Sequence, residues 1–412
     1  MSQKKLLVIG LTWPEPNSTA AGHRMMQLLE AFMEAGYHIT FSSAALETEF
    51  SVDLTLLGIQ KQTIQLNSST FDVFITDLHP DVVLFDRFLT EEQFGWRIAQ
   101  YVPNALRILD TEDLHSLRYV REHAFKNGVS FTPETWLRND RTKREMASIY
   151  RSDLSLIISS FEMELLQSEI KIDKSLLFHL PFMVGELPAI PDWSTYGERD
   201  DFIFIGGGKH APNVDAIKYL KTEIWPLIRK QLPRTNLYIY GAYLPQQIVE
   251  LHGPAEGFYI KGRIKDLKTV MQKARVCLAP LRYGAGIKGK LLQAMQFGTP
   301  SVTTTIGAEG MHDRLSWNGS IVDDPKEFAQ AAVQLYSDKT SWEMAQKAGV
   351  PLINTIYSKI RLKKGLLNRI NQLQNNLQEH RIQNFTGSML QHQTLLSTKY
   401  MGKWIAEKNK KG

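Results

Sequence analysis

The chain has 412 residues, of which 43% are hydrophobic and 22% are charged, and its formal net charge is +5. This composition is ordinary for folded globular proteins and argues against large-scale disorder, and the length corresponds to roughly two or three domains. No segment approaches the ~20 apolar residues of a membrane span, and the apolar run at residues 6–11 is short for a signal peptide. With one cysteine, Cys277, which cannot form an intramolecular disulfide, the composition predicts a cytoplasmic protein.

The first half of the chain alternates predicted strands with predicted helices. Strands are expected at residues 5–10, 38–42, 62–66, 81–85, 154–159 and 176–179, and helices at residues 22–35, 136–150 and 161–167. This alternation predicts a parallel sheet with helices on both faces. Ligands of such sheets bind beyond the carboxyl ends of the strands, so the loops after residues 10, 85 and 109 are the ones expected to carry function.

The loop after residue 109 concentrates titratable side chains. Asp110, Glu112, Asp113, His115 and Arg118 fall within nine residues at a predicted strand end. A general acid, a general base or a hydrogen-bond acceptor for a sugar could therefore lie here. Acidic residues and histidine at a helix start also serve as caps, and that alternative stays open.

Residues 181–200 contain three prolines and two glycines without a sustained period, which is typical of a linker. The predicted organisation is a first domain at residues 1–185, a linker at 186–200, a second domain at 201–354 and a basic helical extension at 355–412.

The second half carries the most informative stretch. After predicted strands at residues 202–205, 237–240, 258–261 and 276–281, a glycine loop precedes a helix expected from Ile287, and a further strand is expected at 301–305. Bare amides at a helix N-terminus suit a phosphate. Lys288 and Lys290 would oppose the helix dipole at about 0.3–1 kcal/mol each, so their presence argues for a bound anion. Two solvated lysines beside a tight turn are the alternative.

Two familiar phosphate motifs fit this chain poorly. Gly284 begins a G-x-x-x-x-G-K pattern, but Leu291 stands where a P-loop has Ser or Thr for magnesium. Gly206 begins a G-x-G-x-x-A pattern, but Gly241 and Ala242 follow the next strand, where a dinucleotide site has an acidic residue. An enzyme that uses NAD is therefore the least expected class.

The chain resembles a known family in three stretches: PLRYGAGIKGKLLQAMQFGTPSV, TTTIGAEGM and FIGGGKHAPNVDAIKYL. They resemble the donor-binding core of retaining GT-B glycosyltransferases, family-4-like members of glycosyl transferases group 1. The resemblance implies an α/β fold of two doubly wound Rossmann-like domains facing across a cleft. It also implies transfer from a nucleotide-sugar donor with retention, without a metal or another cofactor.

The resemblance also suggests site residues. The implied donor-binding residues are Gly22, Gly206, Gly207, Lys209, Tyr283, Gly284, Gly286, Ile287, Lys288, Lys290, Gln293 and Glu309. The catalytic candidates are His115, Asp113 and Lys290. For Gly22, Lys209 and Glu309, an ordinary helix start, a solvated lysine and a solvent-facing turn are the respective alternatives.

Two positions depart from the family pattern, which often has two glutamates eight residues apart. Ala285 and Gln293 occupy these positions here. Gln293 can still hydrogen-bond a ribose hydroxyl, but without charge. The departure motivates a second hypothesis, a non-catalytic sugar-nucleotide-binding subunit or regulator, and an epimerase on the same fold is a third.

The last 58 residues are basic. They hold eleven Lys or Arg against Glu379 and Glu407, so this segment carries +9 and the rest of the chain −4. A stripe of Leu396, Tyr400, Trp404 and Ile405 is expected on a helix at residues 389–408. The resemblance implies that such a helix crosses back to the first domain; contact with the inner face of a membrane or with a second copy would use the same stripe. The expected acceptor is a glycan, a lipid-linked molecule or a protein, and no nucleic acid is expected.

Overall fold

The computed structural model describes residues 3–410, with the backbone alone for residues 393–396. Within this range the chain forms two α/β domains, each built on one parallel sheet. No helix in the described range combines the length and the apolar character needed to cross a bilayer.

The sheet of the first domain has seven strands within the described residues. They are β1 (Lys5–Gly10), β2 (His38–Ser43), β3 (Gln60–Thr63), β4 (Val82–Asp86), β5 (Leu106–Asp110), β6 (Leu154–Ile157) and β7 (Leu177–His179). Their spatial order is β3-β2-β1-β4-β5-β6-β7, so the direction of winding reverses between β1 and β4. A crevice forms at such a reversal, outside the carboxyl ends of the strands.

Helices cover both faces of this sheet. They are α1 (Ala20–Glu34), α2 (Thr70–Leu78), α3 (Arg87–Tyr101), α4 (His115–Lys126), α5 (Pro133–Arg138), α6 (Asp140–Arg151) and α7 (Ser160–Ser168). Two apolar clusters lie on the two sides of the sheet because alternate strand residues point to opposite faces: Leu6 and Val8 belong to one cluster, Leu7 and Ile9 to the other.

The sheet of the second domain has six strands in the described part of the chain. They are β8 (Asp200–Ile205), β9 (Leu237–Tyr240), β10 (Phe258–Gly262), β11 (Ala274–Ala279), β12 (Ser301–Thr303) and β13 (Gly319–Ile321). The order β10-β9-β8-β11-β12-β13 reverses between β8 and β11. The loops after β8 and β11 therefore border the crevice of this domain.

The helices of the second domain follow the same alternation. They are α8 (Ala211–Tyr219), α9 (Trp225–Gln231), α10 (Gln246–Val249), α11 (Leu267–Lys273), α12 (Gly289–Gln296), α13 (Thr305–Ala308), α14 (Pro325–Ser337) and α15 (Lys339–Ile356). A π-helical turn at Leu220–Ile224 joins α8 to α9.

Three helices follow the second domain: α16 (Lys359–Asn375), α17 (Leu377–Gln383) and α18 (Phe385–Lys410). The buried stripe of α16, which includes Leu366 and Ile370, shares one core with Leu6 and Val8 of β1. The chain therefore returns to the first domain after completing the second. On α18, Tyr400 and Trp404 are 63% and 61% exposed and Ile405 is half-buried, whereas the side chain of Leu396 lies outside the described residues.

Several predicted element boundaries were wrong, each for a local reason. The helix expected at 136–150 is split at Asn139, whose extended backbone ends α5 and whose side chain accepts a hydrogen bond from the amide of Arg141 at the start of α6. The strand expected at 301–305 stops at Thr303, because Thr304 caps α13 by accepting from the amide of Gly307. The strand expected at 62–66 lies instead at Gln60–Thr63.

The helix expected from Ile287 begins at Gly289, and Lys288 is its N-cap with an extended backbone. Lys288 is therefore not in the first helical turn, contrary to the prediction, whereas Lys290 is. The helix expected at residues 389–408 begins earlier, at Phe385, and Asn384 separates it from α17. The short edge strand β13 was not predicted.

Candidate active site

The carboxyl ends of the two sheets face each other, and their loops meet. On the second domain the glycine loop, residues 280–288, connects β11 to α12. On the first domain the loop of residues 111–114 connects β5 to α4. A side chain added at Gly286 would place its Cβ 2.7 Å from the Cβ of Asp113. The two loops are therefore in direct contact, and only glycine fits at residue 286.

Lys288 at the end of the glycine loop is buried, and Lys290 in the first turn of α12 is half-buried. Lys288 is 7% exposed and donates to the carbonyl oxygen of Gly286 over 2.7 Å. Lys290 donates to the side-chain oxygen of Asn213, and its Nζ lies 4.6 Å from the centre of the Phe204 ring. Burial lowers the pKa of Lys288 to about 8 and that of Lys290 to about 7, because an ammonium group loses its hydration there.

The loop after β8 lies beside these lysines. The side-chain amide of Asn213 donates to the carbonyl oxygen of Gly207 over 3.0 Å, and a Cβ at Gly206 would lie 2.6 Å from Asn213. Gly206 is therefore needed so that Asn213 can approach the loop and hold Lys290. A Cβ at Gly207 would lie 3.6 Å from the carbonyl oxygen of Ser18 in the first domain, so this glycine also faces the cleft.

Lys209 contacts Tyr243 of the second domain. Its Nζ lies 3.5 Å from the centre of the Tyr243 ring, an arrangement typical of a cation–π contact. The hydroxyl of Tyr243 in turn hydrogen-bonds both carboxyl oxygens of Glu15, at 3.0 and 2.9 Å, across the cleft. Lys209 is thus next to a contact between the domains rather than next to Lys288 and Lys290.

His115 and Asp113 lie on the first-domain side of the same contact. The Nε2 atom of His115 lies 3.3 Å from Oδ1 of Asp113, and Arg118 pairs with the other oxygen of Asp113. Burial lowers the pKa of His115 to about 3, so its imidazole is neutral at pH 7. Burial opposes ionisation of Asp113, but the charges of its neighbours, Arg118 foremost, outweigh burial and lower the pKa of this carboxyl. The pair is thus a carboxylate beside a neutral ring.

Tyr283 and Ile287 anchor the ends of the glycine loop against the first domain. Tyr283 is buried with its ring centre 5.2 Å from that of Phe125, and Ile287 shares an apolar cluster with Ile158. Gln293 lies further along α12 and is half-buried. Of the predicted residues, Gly286 and Lys288 are brought next to Asp113, whereas Tyr283 and Ile287 contact other parts of the first domain.

Gly22 has a local reason to be glycine. It lies in the first turn of α1, where its amide donates to the Thr19 side chain over 3.0 Å, and a Cβ here would lie 2.5 Å from the backbone nitrogen of Glu15. The loop that precedes α1 therefore packs directly on Gly22. Its predicted approach to a diphosphate stays a prediction.

Two residues of this region, Arg121 and Glu162, were not predicted from the sequence as site residues. Arg121 of α4 donates to both carboxyl oxygens of Glu309, at 2.7 and 2.8 Å, and to the carbonyl oxygen of Gly284. Glu162 of α7 accepts hydrogen bonds from the amides of Leu114 and Gly286. A third residue, His210, is half-buried near Asp113 and both lysines, and loss of hydration lowers its pKa to about 3. Arg121 lies three residues after Arg118, one helical turn away, which is the available signal; Glu162 had none.

The second domain matches a family model. Residues 199–338 match the model described as Glycosyl transferases group 1, so this part of the chain is a domain of that type. The match covers about a third of the chain. No curated protein sequence gave a match.

Solved structures match nearly the whole chain. A sucrose-phosphate synthase from Thermosynechococcus elongatus superposes with a TM-score of 0.68 at 16% identity, over 90% of this chain and 99% of that one. The chain has the GT-B fold. WaaG, a glycosyltransferase involved in lipopolysaccharide biosynthesis, gives 0.63 at 13% identity, over 89% of this chain and 99% of that one. Alr3699/HepE of Anabaena, solved with UDP and glucose, gives 0.62 at 13% identity over 90% and 100%.

These likenesses confirm the predicted fold class of two Rossmann-like domains with C-terminal helices. In a GT-B fold the two crevices form one cleft, and the glycine loop, the loop after β8 and the loop after β5 all border it here.

Proposed function

We propose that this protein is a glycosyltransferase that moves a sugar from a nucleoside-diphosphate donor to a hydroxyl of an acceptor held on the first-domain side of the cleft. The group 1 domain at residues 199–338 supports the reaction class. The similar structure of Alr3699/HepE was solved with UDP-glucose, which supports the donor class.

One observation carries the proposal: a buried amine, Lys288, and a half-buried one, Lys290, lie together without a direct ion-pair partner in the described range. Neither Lys288 nor Lys290 forms an ion pair with another residue in the described range of 3–410; each donates instead to a neutral oxygen. Burying an unpaired ammonium group is costly, and their lowered pKa values express that cost. A diphosphate between β8 and α12 would give both amines a direct anionic partner and accept from the amides at the start of α12.

The same arrangement suits the chemistry of transfer. As the bond between the anomeric carbon and the diphosphate oxygen breaks, negative charge grows on the leaving group, and the acceptor oxygen forms the new bond to that carbon. Lys288 and Lys290 stabilise this charge, and the acceptor's proton passes to the leaving diphosphate. Lysines that neutralise the leaving group make a metal ion unnecessary, so the reaction is metal-independent in this proposal.

His115 and Asp113 act on the sugar side of the diphosphate. A neutral imidazole can donate a hydrogen bond through one ring nitrogen and accept one through the other. Asp113 fixes its orientation from 3.3 Å. His115 therefore serves as a hydrogen-bond partner of the donor sugar rather than as a cation. Retention of the anomeric configuration follows from the resemblance of the glycine loop, and NMR of the product's anomeric proton tests it.

The test of the assigned site replaces Lys290 by alanine. Lys290→Ala is expected to weaken binding of nucleotide sugars and to lower kcat, because the charge that offsets the leaving group is removed. Lys230→Ala, which changes an exposed lysine on α9, is the matched control and should behave as the parent protein. Equal donor turnover by Lys290→Ala and the control would contradict the role given to this loop.

A second candidate function is a non-catalytic sugar-nucleotide-binding subunit. It is favoured by Ala285 and Gln293, which leave the loop without the two carboxylates frequent at these positions. Incubation of the protein with UDP-, GDP-, ADP- and TDP-sugars separates the two functions. A transferase should hydrolyse its donor slowly to free nucleotide without an acceptor, whereas a binding subunit should bind it unchanged.

The exposed face of α18 supports a peripheral membrane contact in this proposal. Phe385, Tyr400 and Trp404 are 61–75% exposed, and Lys403 and Lys408 lie among them. Aromatic rings and lysines on one face of a helix suit the interface of an anionic lipid bilayer. Co-sedimentation with vesicles containing phosphatidylglycerol should exceed that with pure phosphatidylcholine and fall in Trp404→Ala. Equal sedimentation with both vesicles would refute this contact.

A further inference from the structure

Two first-domain side chains bind the glycine loop on either side of one residue, Ala285. Arg121 donates to the carbonyl oxygen of Gly284 over 2.9 Å. Glu162 accepts from the amide of Gly286 over 2.9 Å. Both side chains are buried, Arg121 at 7% exposure and Glu162 at none. The peptide groups before and after Ala285 are thus held by the opposite domain.

The methyl group between these peptide groups is also buried in the first domain. Ala285 is 7% exposed and belongs to the apolar cluster that contains Leu114, Ile157 and Leu165. An alanine fits here where a carboxylate would enter an apolar environment beside Glu162. We call this arrangement of Arg121, Glu162 and Ala285 the clasp.

The clasp is fixed from both domains. The same oxygen of Glu162 that binds Gly286 also accepts from the amide of Leu114, at 3.0 Å, in the loop that leads to His115. Arg121 is held in turn by both oxygens of Glu309. One carboxyl group therefore sets the separation between the loop after β5 and the glycine loop.

We propose that Glu162 is a positioning residue, which with Arg121 holds the glycine loop in its donor-binding form. The donor site is then complete only when these first-domain side chains bind the peptide groups on either side of Ala285. The part of this proposal that concerns the donor rests on the proposed function; the clasp itself does not. Glu162 acts through the loop, since its bound oxygen is occupied by two backbone amides.

The chemistry of Glu162 suits a neutral acceptor. Burial raises its pKa to about 8, with Asp113 acting in the same direction and Lys288 against it. Its second oxygen has no hydrogen-bond partner in the described part of the chain. Glutamine, with the same shape and one carbonyl oxygen, should therefore replace it, whereas alanine would leave the amides of Leu114 and Gly286 unpaired.

The first measurement needs no ligand. Hydrogen exchange of a peptide containing Gly286 is followed in the full chain for the parent protein, Glu162→Ala, Glu162→Gln and Glu164→Ala. Glu164 is exposed on the same helix and serves as the control. We expect protection to fall about tenfold in Glu162→Ala alone. Urea unfolding of each variant separates loss of the clasp from loss of the fold.

The second measurement is donor kinetics and affinity on the same set. The KM for the donor should rise about tenfold in Glu162→Ala, more than kcat changes, and stay near the parent value in Glu162→Gln. Ala285→Asp breaks the clasp from the other side, by placing a charge in the apolar cluster, and should show the same effects as Glu162→Ala. It keeps the proposal testable if Glu162→Ala folds poorly.

The results discriminate clearly. Unchanged exchange and unchanged KM in Glu162→Ala and Ala285→Asp would overturn the proposal. If Glu162→Gln loses as much hydrogen-exchange protection as Glu162→Ala, the role of Glu162 as a neutral acceptor would be overturned. If the exchange pattern is as expected but the parent protein binds no nucleotide sugar, the clasp stands and the proposed function fails.

Discussion

Donor binding should take up protons, because Lys288 at the end of the glycine loop and Lys290 at the start of α12 are partly neutral before the donor binds. Burial lowers the pKa of Lys290 to about 7 and that of Lys288 to about 8. A diphosphate beside them favours the ammonium form and raises both pKa values. Above the pKa values that these two lysines have in the free protein, donor binding must therefore be accompanied by proton uptake. Below about pH 6 both lysines are already protonated and no uptake is expected.

The expected magnitude follows from these values. At pH 7.5 a group with a pKa of about 7 is about 0.8 neutral and one with a pKa of about 8 is about 0.2 neutral, so binding takes up about one proton. Above pH 8 the donor affinity should fall by about tenfold for each pH unit and each proton taken up. Arginine stays protonated at any of these pH values, so Lys290→Arg should take up only about 0.2 of a proton.

Isothermal titration calorimetry in buffers of different ionisation enthalpy counts these protons directly. The titrant should be a nucleotide sugar, since its diphosphate has no titratable group near neutral pH. Lys230→Arg is the control and should keep the uptake of the parent protein. An uptake near zero at pH 7.5, or the same uptake in Lys290→Arg as in the parent, would refute the reasoning that these amines await an anion.

Three other outcomes are expected. Arg24→Met leaves Asp110 as a buried unpaired carboxylate, and removal of one partner from such a pair should lower the free energy of unfolding by about 3–5 kcal/mol in urea titrations. Gly286→Ala, at a φ of +65° with no room for a Cβ, should abolish measurable donor binding, whereas Gly36→Ala, at a φ of +80° in open space, should cost only about 1 kcal/mol of stability. Leu366→Ala should cost about 2–5 kcal/mol by leaving a cavity in the first-domain core, and a change under 1 kcal/mol would contradict the burial of α16.

The fold class was predictable because strand and helix signals in this chain are local. The run at Leu237–Tyr240 is a strand of four residues bounded by loop residues, and its limits were predicted without error. Boundaries failed where a side chain competes for the backbone: Asn139 splits one helix, and Thr304 ends one strand. Neither residue differs in type from many that do not interrupt an element.

The candidate site was predictable only as far as each loop could be read by itself. The glycine loop and its lysines form one short segment, so Gly286, Lys288 and Lys290 could be named together. Glu162 could not, since its role depends on an amide 124 residues away in the other domain. The sequence around a charged helical residue does not indicate which loop its side chain will contact. Contacts between domains therefore cannot be predicted from local sequence patterns.

The return of α16 to the core beside β1 has a consequence for the order of events on the ribosome. Leu366 and Ile370 complete an apolar cluster begun by Leu6, but about 360 residues are made between Leu6 and Leu366. At about 5–20 residues per second, that interval lasts tens of seconds. During this interval the sheet of the first domain has part of its apolar core exposed. The second domain is one continuous segment and can fold before α16 is made. Nascent chains halted before residue 359 should therefore depend on chaperones.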